Sequence, residues 1–397
     1  MHISNTIQSL APYAFAEVDK LVDALKEQGI TPIDFGVGDP IDPTPEFIRE
    51  SLKQATDSHS KAGYPNNSGM ASYKQAIANW YKSRFQVELN PDTEICSNVG
   101  SKEGIFNFPL GHLNPGDYVL IPSPGYPPYK QGTRFASATP YFYPLLAENN
   151  FFPDFDAIPE EIAKKAKIMW FCYPNSPTGK LATKELYEKA YAFCQKHDII
   201  MACDDCYSEI YFRNNGATPP ISALSVGRKG IVVFNSLSKR SCMTGYRVGF
   251  VVGDPEIISI FKKVKSNIDS GTPNFIQAAA ITALQDETHV TEACERYATK
   301  LDIITKALAA LGLDPATPEG TFYIWQKVPQ GYDSVSFAKL FLAPEIGIVV
   351  TPGEWISDEC EYKGQKINPG KNYIRFALVP TIEECNLAAE KISKIKY

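Results

Sequence analysis

Residues 236–253 decide the fold and read Ser-Leu-Ser-Lys-Arg-Ser-Cys-Met-Thr-Gly-Tyr-Arg-Val-Gly-Phe-Val-Val-Gly. Lys239 lies in a serine-rich loop, and Arg247 follows eight residues later. Apolar runs at 230–235 and 248–252 flank this loop and predict two buried strands. A lysine leaving one strand end, with an arginine entering the next strand, suits a Schiff-base cofactor that carries a phosphate. A surface lysine in a polar loop is the simpler interpretation of this stretch alone, so the rest of the chain must decide.

The composition excludes several classes of protein. The 397 residues are enough for about two or three domains. A hydrophobic content of 44% and a charged content of 21% are ordinary for a globular protein. The net charge of −6, the lack of a basic run and the lack of a long apolar run predict no nucleic-acid partner and no membrane span.

The cysteines and the N-terminal residues bear on the compartment. Nine scattered cysteines indicate reduced thiols, and the first residues lack the basic and apolar regions of a secretory signal, so we expect a cytoplasmic protein. The motif Cys203-Asp-Asp-Cys206 has no second cysteine pair and no nearby histidine. We therefore expect no metal site.

Strand-like runs alternate with amphipathic helical stretches from about residue 70 to 285. The seven predicted strands are 94–99, 118–122, 139–145, 167–173, 199–203, 231–235 and 247–252. This alternation predicts an α/β fold with a mostly parallel seven-stranded sheet. A long helix with one apolar face and several short strands follow, which predicts a smaller α+β domain. We divide the chain into an N-terminal arm that joins the small domain (1–45), a large domain (46–287) and a C-terminal small domain (288–397).

Polar groups follow five of the seven predicted strands, at the edge where an open α/β sheet binds its ligand. They are Ser101 before a helix, Tyr126 in a proline-rich turn, Asn175 in Pro-Asn-Ser-Pro-Thr-Gly, the pair Asp204-Asp205, and the Lys239 loop. A helix N-terminus binds an anion, an aromatic ring stacks on a planar ligand, and a buried acid needs a cationic partner. Each group alone could be a cap, a packing residue or a plain turn. Together they favour one phosphorylated, protonated aromatic aldehyde as the ligand.

These segments resemble the fold-type I pyridoxal-phosphate enzymes, and among them the class I/II aminotransferases, in order over nearly the whole chain. The matching motifs are Asn175-x-Pro-Thr-Gly, Asp204-x-x-Tyr207, Ser236-x-x-Lys239 with Arg247, Thr351-Pro-Gly353 and Tyr373-Ile-Arg375-Phe-Ala. The resemblance implies pyridoxal 5'-phosphate as cofactor, a homodimer, and ping-pong transfer of an amino group between an amino acid and a 2-oxo acid.

The resemblance also implies a role for each site residue. Lys239 would bind the cofactor covalently and move the proton of the substrate Cα, Asp204 would pair with the pyridinium nitrogen, and Tyr207 and Asn175 would bond the ring 3-oxygen. The remaining cofactor contacts would be Tyr126, stacked on the ring, and Ser101, Lys102, Ser236, Ser238 and Arg247 around the phosphate. Arg375 would bind the α-carboxylate of the substrate beside Gly38 and Asn175. Tyr64 would reach into the site of the neighbouring subunit.

Two sequence segments, one lysine and one long stretch bear on the identity of the substrate. The segments Gly100–Ile105 and Pro122–Pro127 look most like the diaminopimelate branch of the family, which acts on LL-diaminopimelate or its N-succinyl derivative with glutamate/2-oxoglutarate. Lys102 resembles a lysine that binds a distal carboxylate in some aspartate-type relatives, although a solvated lysine fits equally well. The stretch 357–371 is longer than expected of the family, and we predict a surface loop, the alternative being a wall of the substrate entrance.

Three alternatives to this substrate assignment stay open. One is an aspartate-type or broad-specificity aminotransferase. Another is a lyase, such as a C–S lyase, or a decarboxylase on the same fold, because the cofactor site alone does not choose which Cα bond breaks. The third is a non-enzymatic regulator, which would be expected to carry a DNA-binding domain.

Overall fold

The computed structural model describes residues 2–8, 10, 16–61, 63–213 and 216–397. Its strands are β1 Ile33–Asp34, β2 Ile95–Asn98, β3 Tyr118–Ser123, β4 Thr139–Pro144, β5 Ala166–Phe171, β6 Ile200–Asp204, β7 Ile231–Ser236, β8 Gly249–Gly253, β9 Tyr323–Lys327, β10 Ile348–Val349, β11 Thr351–Pro352, β12 Cys360–Tyr362, β13 Gln365–Ile367 and β14 Tyr373–Ala377. Its α-helices are α1 Asn5–Gln8, α2 Ala16–Glu27, α3 Glu46–Ser58, α4 Ala71–Phe85, α5 Ser101–Asn107, α6 Pro127–Phe135, α7 Glu160–Ala163, α8 Lys184–His197, α9 Leu237–Arg240, α10 Pro255–Lys265, α11 Asn274–Leu284, α12 Thr288–Ala310, α13 Ser334–Phe341 and α14 Ile382–Ile392.

The large sheet has seven strands in the order β2-β8-β7-β6-β5-β3-β4. Only β8 runs antiparallel to its two neighbours, and the other strand pairs are parallel. The predicted seven-stranded, mostly parallel α/β sheet is therefore confirmed. One boundary differs for a clear reason: β8 begins at Gly249 and not at Arg247, because Arg247 has a φ of 52°, which lies outside the β region.

The strands of this sheet are apolar because both faces are covered. Val119 and Ile168 belong to a cluster on one face, and Leu120, Met169 and Met201 belong to a cluster on the other. All five side chains are fully buried, and each contributes about 1.5–3 kcal/mol to folding. Strands buried on both faces appear in a sequence as continuous apolar runs, which is why they could be predicted.

The small domain is built on an antiparallel sheet in the order β11-β14-β9, with α12 and α14 packed together beside it. The N-terminal strand β1 pairs in parallel with β10, in the register Ile33↔Ile348. Phe35 is fully buried in the same cluster as the small-domain strands. This pairing supports the prediction that the N-terminal segment joins the C-terminal domain, and the domain boundaries themselves stay a prediction.

The stretch 357–371 corrects one expectation, because it contains a β-hairpin and is not simply a surface loop. In β12, Cys360 and Tyr362 are buried and Glu361 is exposed, so the strand has one face turned to the protein. The two residues between β12 and β13, Lys363 and Gly364, have φ of 50° and 76°. Two residues with positive φ form the turn that matches the twist of a hairpin. The hairpin packs against β4 of the large sheet. No helix in the described ranges has the length and apolar character needed to cross a membrane.

Candidate active site

A cavity of about 620 Å³ opens at the carboxyl edge of the large sheet. Most of the predicted site residues line it, namely Gly38, Ser101, Lys102, Tyr126, Ser236, Ser238, Lys239 and Arg247, together with Asp39, Cys206, Thr244 and Gly245. These residues meet because β2, β3, β6 and β7 are parallel and end at the same edge. Strand β8 runs the opposite way and begins there, which brings Arg247 to the others.

One part of the cavity suits an anion. Ser236 Oγ and Ser238 Oγ are 2.9 Å apart, and the guanidinium of Arg247 is held by a bond from Nη1 to the carbonyl of Thr244 at 2.8 Å. Gly100 has a φ of 73°, and a Cβ at this position would lie 2.3 Å from Arg247 Nη2. Two hydroxyls and a cation are groups of the kind that can bind a phosphate by charge-assisted hydrogen bonds. The absence of a side chain at Gly100 leaves the guanidinium its place.

Lys239 lies on the short helix α9 directly after β7. Its Nζ donates a hydrogen bond of 2.6 Å to the carbonyl oxygen of Gly38, and lies 5.5 Å from the centre of the Phe322 ring. Both partners come from outside the large sheet: Gly38 follows β1, and Phe322 precedes β9. The amine therefore lies where the two halves of the molecule meet, inside the cavity.

Asp204 ends β6, and only 5% of its surface is exposed. The hydroxyl of Tyr129 donates to Oδ2 at 2.7 Å, and the amide of Cys206 donates to Oδ1 at 3.3 Å. Burial raises the pKa of Asp204, and the hydrogen bonds from Cys206 and Tyr129 act in the opposite direction. The ring of Tyr129 stacks on Trp170 at 4.8 Å. A buried carboxyl held in this way is suited to a cationic partner.

Arg375, on β14, forms a second group of polar residues beside the cavity. Its Nη2 donates to the carbonyl of Gly36 at 2.6 Å and to Thr351 Oγ1 at 3.3 Å. Its Cζ lies 4.6 Å from the centre of the Tyr323 ring, in a cation–π arrangement. Its Nε is buried and has no hydrogen-bond partner among the described residues. The guanidinium therefore keeps an unused donor, as a carboxylate-binding arginine requires.

Tyr323 connects this group to the cavity. Its hydroxyl lies 3.1 Å from the hydroxyl of Tyr207. A Cβ added to Gly38 would lie 1.9 Å from the same hydroxyl, so the tyrosine fills the space that a side chain at position 38 would take. Tyr207 and Arg375 are thus brought to one aromatic ring, next to the glycine whose carbonyl binds Lys239.

Five predicted site residues are not among those that line the cavity: Asp204, Tyr207 and Arg375, described above, and Asn175 and Tyr64. Asn175 is buried, and its side chain bonds within its own loop: Nδ2 donates to the carbonyl of Cys172 at 3.1 Å, and Oδ1 accepts from Thr178 Oγ1 at 2.7 Å. One hydrogen of Nδ2 is left for a ligand. Tyr64 is 94% exposed and does not line the cavity of the single chain.

Sequence reasoning missed Tyr129 and Tyr323. Tyr129 lies one helical turn after Tyr126 in the same motif, and this spacing could have indicated that both side chains reach one site. Tyr323 shares a sheet face with Trp325, and β9 pairs with β14 so that Trp325 lies opposite Arg375. The alternation alone would have placed Tyr323 on one face of a strand, without showing which ligand it meets.

The family model for aminotransferase class I and II matches residues 30–392. The chain belongs to the class I and II aminotransferases. It is therefore a pyridoxal-phosphate-dependent enzyme that transfers amino groups between small amino acids and 2-oxo acids. The predicted family, enzyme class and cofactor are confirmed.

Two relatives match this chain over nearly the whole length of both proteins. The aminotransferase is 43% identical, over 98% of both chains, to the LL-diaminopimelate aminotransferase of Syntrophobacter fumaroxidans. It is 44% identical, over 99% of both chains, to the LL-diaminopimelate aminotransferase of Aquifex aeolicus. Among solved structures, a probable N-succinyldiaminopimelate aminotransferase from Thermus thermophilus has a TM-score of 0.86 at 27% identity, with 96% of this chain and 100% of that chain covered.

The residues of the cavity fit the cofactor of this aminotransferase. Arg247, Ser236 and Ser238 supply a cation and hydroxyls of the kind a phosphate needs, and the bare Cα of Gly100 leaves room for the guanidinium. Lys239 supplies an amine in the same cavity, and Asp204 supplies a buried carboxyl for a protonated ring nitrogen. The chemistry of the donor set therefore matches a phosphorylated pyridine aldehyde.

Proposed function

We propose that this aminotransferase acts in the diaminopimelate/lysine branch, transferring an amino group between LL-diaminopimelate and the glutamate/2-oxoglutarate pair. The observation that carries the proposal is the match to two LL-diaminopimelate aminotransferases at 43% and 44% identity over nearly the whole length of all three chains. The N-succinylated substrate is the weaker choice, because the relative whose name refers to it is 27% identical.

In this proposal the cofactor is held at its two ends by different elements. Ser101, Ser236, Ser238, Arg247 and the backbone of Lys102 bind the phosphate, and all of them line the cavity. Four further residues would bind the ring: Asp204 would pair with the ring nitrogen, Tyr207 and Asn175 would bond the 3-oxygen, and Tyr126 would cover the ring. Burial of Asp204 strengthens its interaction with a cation, since little water screens the pair.

When bound, pyridoxal phosphate accepts the electron pair left on the substrate Cα after that carbon loses its proton. Lys239 would hold the cofactor covalently through its amine, and the same amine would move the proton of the substrate Cα. Its position at the Gly38 carbonyl places the amine beside the residues proposed to bind the substrate. Arg375 binds the α-carboxylate through the donors that it does not use within the protein. Together they orient the Cα–H bond for proton transfer.

Two exposed residues, Lys102 and Tyr64, are proposed to complete the site. Lys102 is exposed, lines the cavity and is the proposed cation for a distal carboxylate. Tyr64 is almost fully exposed in the single chain, which suits a residue that enters the site of a second subunit, so we propose a homodimer. The nine cysteines are all free thiols, which supports a reducing, cytoplasmic location.

A half-reaction screen tests the substrate. The purified holoenzyme is mixed with single amino acids, and the visible absorbance of the bound cofactor is followed. Rapid bleaching by glutamate and by LL-diaminopimelate, with slow bleaching by the N-succinyl derivative, is the expected result. Bleaching by aspartate and glutamate alone would instead indicate an aspartate-type enzyme. Release of ammonia, or of a thiol from a sulfur-containing amino acid, would indicate a lyase.

A Lys239→Ala variant tests the covalent role. We expect borohydride to trap the cofactor on Lys239 of the wild-type protein and to leave no adduct on the variant, whose turnover is abolished. The variant retains some cofactor, because the phosphate-binding residues are unchanged. A trapped adduct on another lysine, or full activity of the variant, would refute the assignment.

A further inference from the structure

The β12–β13 hairpin belongs to the 357–371 stretch, which is longer than the family resemblance leads one to expect. It leaves the small domain after β11 and returns to it at β14. Between these strands it packs against β4, the edge strand of the large sheet. Tyr362 donates to Asp154 Oδ2 at 3.0 Å and accepts from Asn149 Nδ2 at 3.1 Å, so the hairpin is hydrogen-bonded to the large domain.

The residues just before the hairpin bind the loop that carries Tyr126. Ser123, at the end of β3, is fully buried, and its Oγ donates to the carbonyl of Asp358 at 2.7 Å and accepts from the amide of Asp358 at 2.8 Å. The amide of Gly125 donates to the carbonyl of Ile356 at 3.4 Å. Both contacts lie within three residues of Tyr126 along the chain.

The other side of Tyr126 is bound as well. Lys130, on α6, forms an ion pair with Asp358 at 2.6 Å, and both side chains are partly buried. Asp358 therefore contacts the chain on both sides of the tyrosine, through its backbone at Ser123 and through its carboxylate at Lys130. The intervening segment begins α6 at Pro127 and has little freedom of its own.

The chain segment between β11 and β14, which contains the hairpin, also begins and ends next to Arg375. Thr351, on β11, lies opposite Arg375 in the sheet register, and its hydroxyl accepts a bond from the guanidinium. The segment between β11 and β14 therefore begins beside Arg375, the residue proposed to bind the substrate carboxylate. Further along, at Asp358, the same segment is hydrogen-bonded to the loop that carries Tyr126.

We propose that Asp358, with Ser123 and Lys130, is a positioning residue that fixes the Tyr126 loop of the large domain relative to the Arg375 strand of the small domain. This inference rests on the proposed function, which supplies the role of Tyr126 over the cofactor. None of the three positioning residues touches the reacting atoms. They act through Tyr126, and the hairpin secures the segment that contains Asp358.

The test uses Ser123→Ala and Lys130→Met in the full-length protein. Lys366→Met is the matched control, because Lys366 pairs with Glu359 in the same stretch but both side chains are exposed. The first measurement is amide hydrogen exchange of the peptide 124–131 in cofactor-free protein. We expect roughly 5-fold faster exchange in Ser123→Ala and Lys130→Met, the loss of about one hydrogen bond, and no change in Lys366→Met.

The second measurement is the visible circular dichroism of the bound cofactor, which reports how asymmetrically its ring is held. We expect a reduced signal in Ser123→Ala and Lys130→Met at saturating cofactor, and recovery in Lys130→Arg, which restores the cation. The Lys130 variants keep the result interpretable if loss of the buried Ser123 hydroxyl unfolds the protein.

The outcomes separate the two proposals. Unchanged exchange and unchanged dichroism in both Ser123→Ala and Lys130→Met, in a protein that binds cofactor normally, overturn the positioning role and leave the proposed function intact. An equal response in Lys366→Met also overturns it, since the effect would then be general to the hairpin. A wild-type protein with no cofactor uptake and no trapped lysine adduct overturns the proposed function together with this inference.

Discussion

Replacing Arg375 by lysine gives the sharpest test of the substrate site. The guanidinium uses Nη2 for Gly36 and Thr351, while Nε is buried and has no partner in the described part of the chain. Lysine keeps the charge but presents one ammonium group in place of a planar fork, so at most one strong bond to a carboxylate remains. The variant therefore loses about one charge-assisted hydrogen bond, worth about 1.5–3 kcal/mol. At 1.4 kcal/mol for each factor of ten, kcat/KM is expected to fall roughly 10- to 150-fold.

The assay is the stopped-flow half-reaction of the variant with each amino donor at saturating cofactor. The cofactor dissociation constant is measured separately and is expected to stay within about twofold of wild type, because Arg375 does not line the cavity proposed to bind the phosphate. Arg213→Lys is the matched control: Arg213 also lies over a tyrosine ring, at 5.3 Å from Tyr211, but it is exposed. A kcat/KM of Arg375→Lys equal to that of Arg213→Lys would refute the assignment.

Three further substitutions test other parts of the site. Asp204→Asn should lower turnover and yet raise the free energy of unfolding of the cofactor-free protein at pH 7. Burial raises the pKa of Asp204, so ionisation of this carboxyl opposes folding, and the asparagine removes that cost. The gain in stability, measured by urea unfolding, should shrink as the pH falls toward the ordinary pKa of 3.8. Gly38→Ala should raise KM about tenfold in steady-state kinetics, because its Cβ would collide with the Tyr323 hydroxyl and displace the ring that lies against Arg375. Gly100→Ala should weaken cofactor binding about tenfold in equilibrium dialysis, with KM unchanged at saturating cofactor, because its φ of 73° disfavours a side chain and its Cβ would collide with Arg247.

The large sheet could be predicted from the sequence because its strands are buried on both faces. An apolar run such as 231–235 needs no knowledge of its neighbours to be recognised. The parallel topology then fixes one edge as the ligand edge, which is why Ser101, Tyr126 and Lys239 were expected in one cavity and line it. For these three residues, the position directly after a predicted strand was enough to predict that they share one cavity.

Other features depend on tertiary contacts that the sequence pattern does not express. The approach of Tyr323 to Gly38 requires the small-domain sheet to meet the segment after β1. The β12–β13 hairpin has only three residues in each strand, and its turn begins with Lys363, which is not a residue typical of positive φ. Asn175 was expected to bond the ligand, and the pattern did not show that its side chain also bonds Cys172 and Thr178 within its own loop.

The single reversed strand makes the active site intolerant of small insertions and deletions. Gly249 is paired on both sides, with Ser236 in β7 and with Asn98 in β2, so both neighbouring strands fix the register of β8 in the sheet. Loss of one residue from the middle of this strand would shift the part on one side of the deletion by about 3.3 Å and turn its side chains to the opposite face. A shift of the N-terminal part would carry Arg247 with it. Length variation among homologues should therefore be rare within β8 and should accumulate in the exposed turn at Gly364, where the backbone can lengthen without moving the guanidinium.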